Sequence, residues 1–248
     1  MSSASPLPIR AALRGAALIC AAGCNAIFGI EEGVLDESVQ LGQAGNSGDR
    51  TPITVRVDGE VALIEGATVT HSRGLNGNLW TAKAPLGARI DPDCSADSGC
   101  FQDQTEAEAC ATGNVDPVTD DDFVNRWGAN LQLNLLPSLS RLETGIRGVA
   151  FTVWGQDLPT LRFQAVAPSA PGTPAPSSCL EWQPVDGVQM EILFDQLRSN
   201  CFTPSATGVP PSPDVLLTTL VWQVDAEAAV QKPFDFCISD IHPIVVGP

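Results

Sequence analysis

The sequence of 248 residues contains no tyrosine, only two histidines and few basic residues. Thirteen lysines and arginines stand against 29 acidic residues, which gives a formal net charge of −16. A chain this acidic has no basic surface with which to hold phosphates, so its composition argues against nucleic-acid binding. The sequence also lacks G-x-S-x-G and H-E-x-x-H motifs, and a catalytic triad would have to use His71 or His242. We therefore expect a protein that is not an enzyme.

Long hydrophobic runs are missing as well, and the one apolar run near the N-terminus is short. Residues 16–22 are apolar and follow Arg10 and Arg14, which is the pattern of a bacterial signal peptide. A run of this length is too short to span a bilayer. The segment 21–24, Ala-Ala-Gly-Cys, resembles a lipoprotein lipobox. By that resemblance Cys24 is lipidated after residues 1–23 are removed; the alternative is an ordinary signal peptide that is cut nearby.

The segment that follows the lipobox has the composition of a tether. Residues 24–50 lose hydrophobic periodicity and end in Gly, Asn, Ser and Asp, so they are expected to hold a folded domain of residues 51–248 away from a lipid surface. Asn25 after the cysteine implies, by the sorting rule of such lipoproteins, an outer-membrane location in the cell envelope. The expected membrane contact is therefore a lipid anchor. Cleavage would leave a net charge of −18.

Cysteine is plentiful, with eight residues, but C-x-x-C pairs are absent. After the loss of Cys20 and the use of Cys24 for lipid, six remain as disulfide candidates: Cys94, Cys100, Cys110, Cys179, Cys201 and Cys237. An even number in an oxidising compartment predicts up to three disulfides. Since each half of the chain has three, at least one bridge joins the halves if all six pair. Cys94 and Cys100 suggest a turn that is closed by a disulfide. Within the second half of the chain, Cys179–Cys201 and Cys201–Cys237 are both possible pairings.

Apolar and polar residues alternate throughout the chain after Thr51. Alternation with a period of two indicates strands of antiparallel sheets that are covered on one face, and no sustained helical stripe is present. The predicted strands include residues 53–57, 131–135, 149–154, 161–165, 190–194, 220–224 and 234–238. Glycine and proline supply 42 residues, which suits many turns. The sequence thus predicts an all-β, antiparallel β-sandwich or barrel in one domain, with the proline-dense segments 167–178 and 204–213 as surface insertions.

Several segments, taken in order, match a known pattern. They are a glycine-aromatic segment at 77–83, Trp-Gly-Ala at 127–129, Gly-Ile-Arg-Gly-Val-Ala-Phe at 145–151, Leu-Arg-Phe-Gln at 161–164 and Phe-Asp-Phe-Cys-Ile-Ser-Asp-Ile at 234–241. Across residues 74–242 the chain resembles galactose-binding-like jelly-roll domains of the carbohydrate-binding-module type, which occur on secreted glycosidases and on myxobacterial surface lipoproteins. Many relatives have Trp at the position of Cys237 and Asp at that of Ser239. The resemblance implies a jelly roll, and the six cysteines imply that disulfides stabilise it.

A ligand site of this kind needs an exposed ring for stacking and amides or a guanidinium for hydroxyl groups. The residues on outward phases of their strands are Trp154, Arg162, Gln164, Gln132 and Asn134. The sequence therefore predicts a site for carbohydrate or another cell-envelope ligand at these five residues. The alternative is that they are solvated sheet residues. Trp222 shares the phase of Leu220 and Val224 and is expected in the core, whereas the pattern does not place Trp80.

No cofactor is required by this hypothesis, although structural calcium is a candidate. Asp91, Asp93 and Asp97 place carboxylates on alternate residues, and calcium prefers oxygen ligands. Two other functions stay open: a structural or adhesion lipoprotein that binds another envelope protein, and a glycoside hydrolase with two carboxylates such as Glu181 and Glu191.

Overall fold

The structure is a computed structural model that describes residues 55–65, 67–95, 100–101, 108–119, 122–170, 175–199, 201 and 208–246. These residues belong to one compact unit, Glu37–Pro248. The signal peptide predicted for residues 1–23, the lipidation candidate Cys24, the tether at 24–50 and the calcium candidate Asp97 lie outside the described residues.

Strands dominate the described ranges. They are β1 (Val55–Val57), β2 (Leu63–Glu65), β3 (Thr68–Thr70), β4 (Gly77–Lys83), β5 (Ala88–Asp91), β6 (Glu108–Val115), β7 (Gly128–Leu139), β8 (Ile146–Trp154), β9 (Leu161–Val166), β10 (Ser177–Trp182), β11 (Val188–Leu193), β12 (Leu217–Asp225) and β13 (Lys232–Val246). One short helix, α1 (Arg141–Thr144), connects β7 to β8.

The strands form two antiparallel sheets. The six-stranded sheet has the order β11-β8-β13-β6-β5, with β1 also paired to β13, and the seven-stranded sheet has the order β10-β9-β12-β7-β4-β3-β2. From β6 onwards the chain crosses between the two sheets at every connection except that of β9 to β10, as in a jelly roll. The predicted all-β, antiparallel sandwich is confirmed.

The core lies between the inner faces of the two sheets. On β12, Leu220, Trp222 and Val224 point inward and are buried, as their alternation predicted. Trp222 packs edge to face against Phe151 of the six-stranded sheet, with ring centroids 5.3 Å apart, and contacts Phe163 of its own sheet at 5.7 Å. These rings connect the two layers. Paired aromatic rings stabilise the fold by more than the burial of their surface area alone.

Some strands were not predicted from the pattern. The segment expected to be a proline-dense insertion, residues 167–178, runs into β10, and β2, β3, β5 and β6 were also missed. In β6 (Glu108–Val115) small residues replace the large apolar residues that make alternation visible. β4 agrees with the glycine-aromatic segment of the family resemblance.

Three disulfides stabilise the sandwich. Cys94 pairs with Cys100, Cys110 with Cys237, and Cys179 with Cys201. The expected bridge between the halves is therefore Cys110–Cys237, and the alternative pairing Cys201–Cys237 is wrong. Cys110 and Cys237 are directly opposite each other on β6 and β13, which explains why they pair.

None of the helices in the described ranges has the length and apolarity needed to cross a bilayer.

Candidate functional site

Four of the five predicted ligand residues share the outward face of the seven-stranded sheet. Arg162 and Gln164 come from β9, and Gln132 and Asn134 come from β7, with β12 between the two strands. All four have the phase opposite to buried core residues of the same strands. The topology therefore brings together side chains that are about 30 positions apart in the sequence.

The strand register arranges this face in cross-strand rows. The row that we call the central row is Cys179, Gln164, Val221, Gln132 and Trp80, one residue from each of β10, β9, β12, β7 and β4. The adjacent row, called the charged row, is Glu181, Arg162, Gln223, Asn130 and Ala82. Residues of one row lie side by side on one face of a sheet. Trp80 thus stands next to Gln132.

A hydrogen-bonded network orders one end of this face. Gln164 Nε2 donates to Gln223 Oε1 at 2.8 Å, and Gln223 Nε2 donates to Asp225 Oδ1 at 2.5 Å and to the Trp127 carbonyl at 3.3 Å. Arg162 Nη2 lies 2.7 Å from Asp225 Oδ2. Because each side chain holds the next, these groups keep fixed positions on the sheet surface.

Asp225 is the carboxylate with the most perturbed environment on this face. Its side chain is only 16% exposed, and burial raises its pKa to about 6 even though the neighbouring Arg162 guanidinium and the Gln223 amide lower it. Glu181 contributes to the rise by charge repulsion. A partly buried carboxyl group with a shifted pKa, placed among convergent polar groups, marks a candidate functional site.

Other polar atoms on the face have no partner. Asn130 Oδ1 is buried and accepts no hydrogen bond, in a residue that is 8% exposed. The Gln132 amide also makes no side-chain hydrogen bond within the described part of the chain. The Trp80 side chain beside it is half-buried. A buried acceptor without a partner costs free energy in the folded protein.

Trp154 is not part of this face. It ends β8 in the six-stranded sheet, although β9 follows β8 directly in sequence. Its side chain is 41% exposed, as its outward phase predicted, and its Nε1 donates to Ser239 Oγ at 2.8 Å. The structure therefore does not bring Trp154 next to the four polar residues.

Sequence reasoning missed four residues of the site: Trp80, Asn130, Gln223 and Asp225. Gln223 and Asp225 alternate with core residues of β12, so their outward phase could have been recognised. Trp80 lies between buried Leu79 and Thr81 and has the same signal. What alternation could not supply was the sheet order that makes β4, β7, β12 and β9 neighbours.

The calcium candidates have other interactions. Lys83 Nζ forms an ion pair with Asp93 Oδ2, and Ser95 Oγ donates to Asp93 Oδ1 at 2.6 Å. The hydrogen bond from Lys83 and those from Ser95 hold the pKa of Asp93 below its usual value. Asp91 is exposed at the end of β5 and lines a surface pocket with Asp235. Both oxygens of Asp93 are thus already used by protein donors.

Two groups of metal-type side chains occur among the described residues. One contains Cys110 and Cys237, which are joined in a disulfide. In the other, His71 Nε2 contacts the Glu60 carbonyl at 3.0 Å while its Nδ1 accepts from the Arg73 amide at 3.0 Å. Since both ring nitrogens are used, His71 is a structural residue in this arrangement.

The chain is similar to several solved structures. A family 11 carbohydrate-binding module of the cellulase Lic26A-Cel5E of Clostridium thermocellum is 13% identical, with 69% of this chain and 89% of that chain covered and a TM-score of 0.40. The same type of module in complex with a β-1,3-1,4-mixed-linked tetrasaccharide covers 74% and 98% at 13% identity and 0.42. The module TmCBM61 in complex with β-1,4-galactotriose covers 68% and 88% at 11% identity and 0.24.

No protein-family model matches the chain. No curated protein matches it either. At identities of 11–13%, no residue role is transferred to this chain from the solved structures.

Proposed function

We propose that this chain is a non-enzymatic carbohydrate-binding protein and that its site is the outward face of the seven-stranded sheet. The observation that carries the proposal is the position of Trp80 beside Gln132 in the central row, next to the unpartnered Asn130 of the charged row. A sugar ring presents an apolar face that stacks on an indole and a rim of hydroxyl groups that amides bind. The indole ring of Trp80 lies beside the side-chain amide of Gln132, and the amide of Asn130 belongs to the adjacent row.

The size of the face favours an oligosaccharide or a polysaccharide over a single small molecule. From β9 to β4 there are three strand spacings, or roughly 14 Å at the usual separation of neighbouring strands. Arg162 and Asp225 form an ion pair with each other, so their charges largely cancel. Glu181 remains as one negative charge in the charged row, so the face has no net positive charge with which to bind an anionic polymer, and an uncharged polysaccharide is the ligand class we propose.

Affinity electrophoresis of the full chain through gels that contain polysaccharides tests this proposal, after a glycan array has identified the ligand. Trp80→Ala is expected to lower the affinity roughly tenfold or more, since a central aromatic anchor carries much of the binding free energy. Trp154→Ala is the matched control, because it removes a tryptophan from the other sheet and should leave retention unchanged. Absence of any retained glycan, or loss of binding in Trp154→Ala alone, contradicts the proposal.

Because Trp80 also packs against the core, a second variant is needed. Gln132→Ala removes only a half-buried amide and is expected to weaken retention severalfold without a change in the unfolding midpoint. Equal retention of Gln132→Ala and the wild type would mean that the central row is not the binding site.

Hydrolysis is the second candidate function, and the charge interaction between Glu181 and Asp225 is the observation that favours it. Glycoside hydrolases use two carboxylates, one of which has a raised pKa. We favour binding alone, because Arg162 already pairs with Asp225. Incubating the wild type and Asp225→Asn with the bound polysaccharide separates the two: reducing ends released by the wild type but not by the variant would establish hydrolysis.

We also propose that the chain is exported and held at the envelope by lipid on Cys24. Three disulfides support export, since such bonds persist in oxidising compartments. Labelling with a radioactive fatty acid is expected for the wild type and not for Cys24→Ser. If Cys24→Ser remains bound to membranes after washing in high salt, the anchor lies elsewhere.

A wild type that binds an envelope protein but no glycan would support the adhesion alternative.

A further inference from the structure

Two arginines meet at one end of the sandwich, where β7 ends, β8 begins and β11 ends. Arg141 opens α1, and Arg147 is the second residue of β8. Together with Leu193, Asp195 and Pro213 they line a cavity of about 120 Å³. In a chain with only 13 basic residues and a net charge of −16, two cations beside one small cavity form a local positive site.

Arg141 is held in place but is not neutralised. It is 3% exposed, and its Nη1 donates to the carbonyls of Pro211 at 3.1 Å and Ser212 at 3.3 Å. Its guanidinium carbon lies 5.1 Å from the centre of the Phe194 ring. These contacts fix the plane of the guanidinium group and leave its positive charge without a carboxylate.

Both guanidinium groups retain unused donors. The Nε atoms of Arg141 and Arg147 are buried and have no hydrogen-bond partner. Within the described ranges, neither arginine forms an ion pair with a carboxylate. Burial and the charge of Arg147 lower the pKa of Arg141, while Asp195 opposes this effect. Two cations and one carboxylate leave one positive charge uncompensated beside the cavity, and the buried position of Arg141 makes an uncompensated charge costly.

We propose that this cavity is a binding site for a small oxyanion, namely a sulfate, phosphate or carboxylate group, which Arg141 and Arg147 hold. Guanidinium groups bind such groups through pairs of parallel N–H donors, and they do so more strongly in a desolvated site. The cavity is larger than a single water molecule requires, which leaves room for a group of this size. This site is separate from the outward face of the seven-stranded sheet and does not depend on the proposed function.

Isothermal titration of the full chain with inorganic sulfate, inorganic phosphate and acetate, each against sodium chloride at the same ionic strength, tests the proposal. We expect saturable binding of at least one of these anions, and the three titrations distinguish tetrahedral oxyanions from carboxylates. Arg147→Gln is expected to weaken this binding at least tenfold. Arg89→Gln, which removes an exposed arginine of β5, is the matched control and should not change it.

Asp195→Asn provides a test in the opposite direction. Removal of the competing carboxylate is expected to tighten oxyanion binding severalfold, and a purely structural arginine pair would not produce this gain. Arg141→Lys is less informative, because a residue this buried contributes to folding. Heats no different from those of sodium chloride for all three anions, or equal affinities of the wild type and Arg147→Gln, would overturn the proposal.

Discussion

Asp225 links the electrostatics of the outward face of the seven-stranded sheet to the stability of the fold. The carboxyl group lies at the end of β12, pairs with Arg162 and accepts a hydrogen bond from Gln223. Burial outweighs these two partners, so its pKa is about 6 instead of 3.8. Between those two pH values the folded protein keeps a proton that the unfolded chain has released.

Asp225 should therefore make the protein less stable as the pH rises from about 4 to 6. The full effect corresponds to an upper bound of roughly 3 kcal/mol in the free energy of unfolding. Asp225→Asn removes the titrating proton and is expected to flatten this part of the profile. Urea midpoints measured across the pH range give the comparison, with Asp235→Asn as an exposed control on β13. Identical profiles for the wild type and Asp225→Asn would contradict this assignment.

Gly128 is a second residue that matters for stability, because there is no room for a side chain at this position of β7 beside β12. Its φ is 125°, and a Cβ atom there would lie 2.1 Å from the Val224 carbonyl oxygen. Gly128→Ala is expected to destabilise the protein by about 2–4 kcal/mol, because both backbone conformation and contact are unfavourable. Denaturant unfolding measures the change.

Gly145→Ala is the control for that substitution. Gly145 ends α1 with a φ of 70° but has no atom within 4 Å of an added Cβ. It should therefore cost only the roughly 1–2 kcal/mol of a left-handed backbone. Equal losses for the two variants would show that the close approach of Gly128 to Val224 is unimportant.

The tryptophans Trp154, Trp222 and Trp80 show what the sequence can and cannot establish at this scale. Alternation correctly placed Trp154 outward and Trp222 inward. It assigns a side chain to one of two faces, but it does not say which sheet the strand joins. Because β8 and β9 are in different sheets, Trp154 does not lie beside the polar residues of β9 and β7. The tryptophan that lies beside Gln132 is Trp80, which is 74 positions earlier in the sequence.

At the scale of elements, disulfides compensate for strands with little apolar area. β6 (Glu108–Val115) consists mainly of small and polar residues, yet it lies between β5 and β13 in the six-stranded sheet. The bond between Cys110 and Cys237 joins it covalently to β13. The same lack of large residues explains why β6 escaped prediction, whereas β7, β8, β9 and β12 with their Leu, Phe, Val and Trp residues did not.

The three disulfides should differ in their contribution to stability. Cys110 and Cys237 are separated by 127 positions, and Cys94 and Cys100 by 6. Restriction of the unfolded chain is worth about 5 kcal/mol for the longer loop and about 2 kcal/mol for the shorter. Replacing both cysteines of each pair with serine and measuring urea midpoints tests this order. A larger loss for the Cys94–Cys100 pair would mean that local packing outweighs loop length.

At the scale of the whole molecule, the sequence was sufficient to predict an antiparallel sandwich but not the order of the strands in its two sheets. Strong alternation and the absence of a helical stripe were sufficient for an antiparallel sandwich, because each strand hides one face in a shared core. Sheet order depends on contacts between residues far apart in the sequence. The aromatic cluster of Phe151, Phe163 and Trp222 is an example: it joins the two layers through β8, β9 and β12, and Trp222 lies far along the chain from the two phenylalanines.

The placement of β13 has a consequence for how the chain must mature. β13 is the centre of the six-stranded sheet, yet it follows every other described strand in the chain. Cys237, the partner of Cys110, is therefore synthesised after Cys179 and Cys201. If thiols were oxidised in the order of the sequence as the chain enters an oxidising compartment, Cys110 would pair with Cys179, and Cys201 and Cys237 would be left for each other. Native bonds would then form by thiol–disulfide exchange, which a disulfide isomerase accelerates.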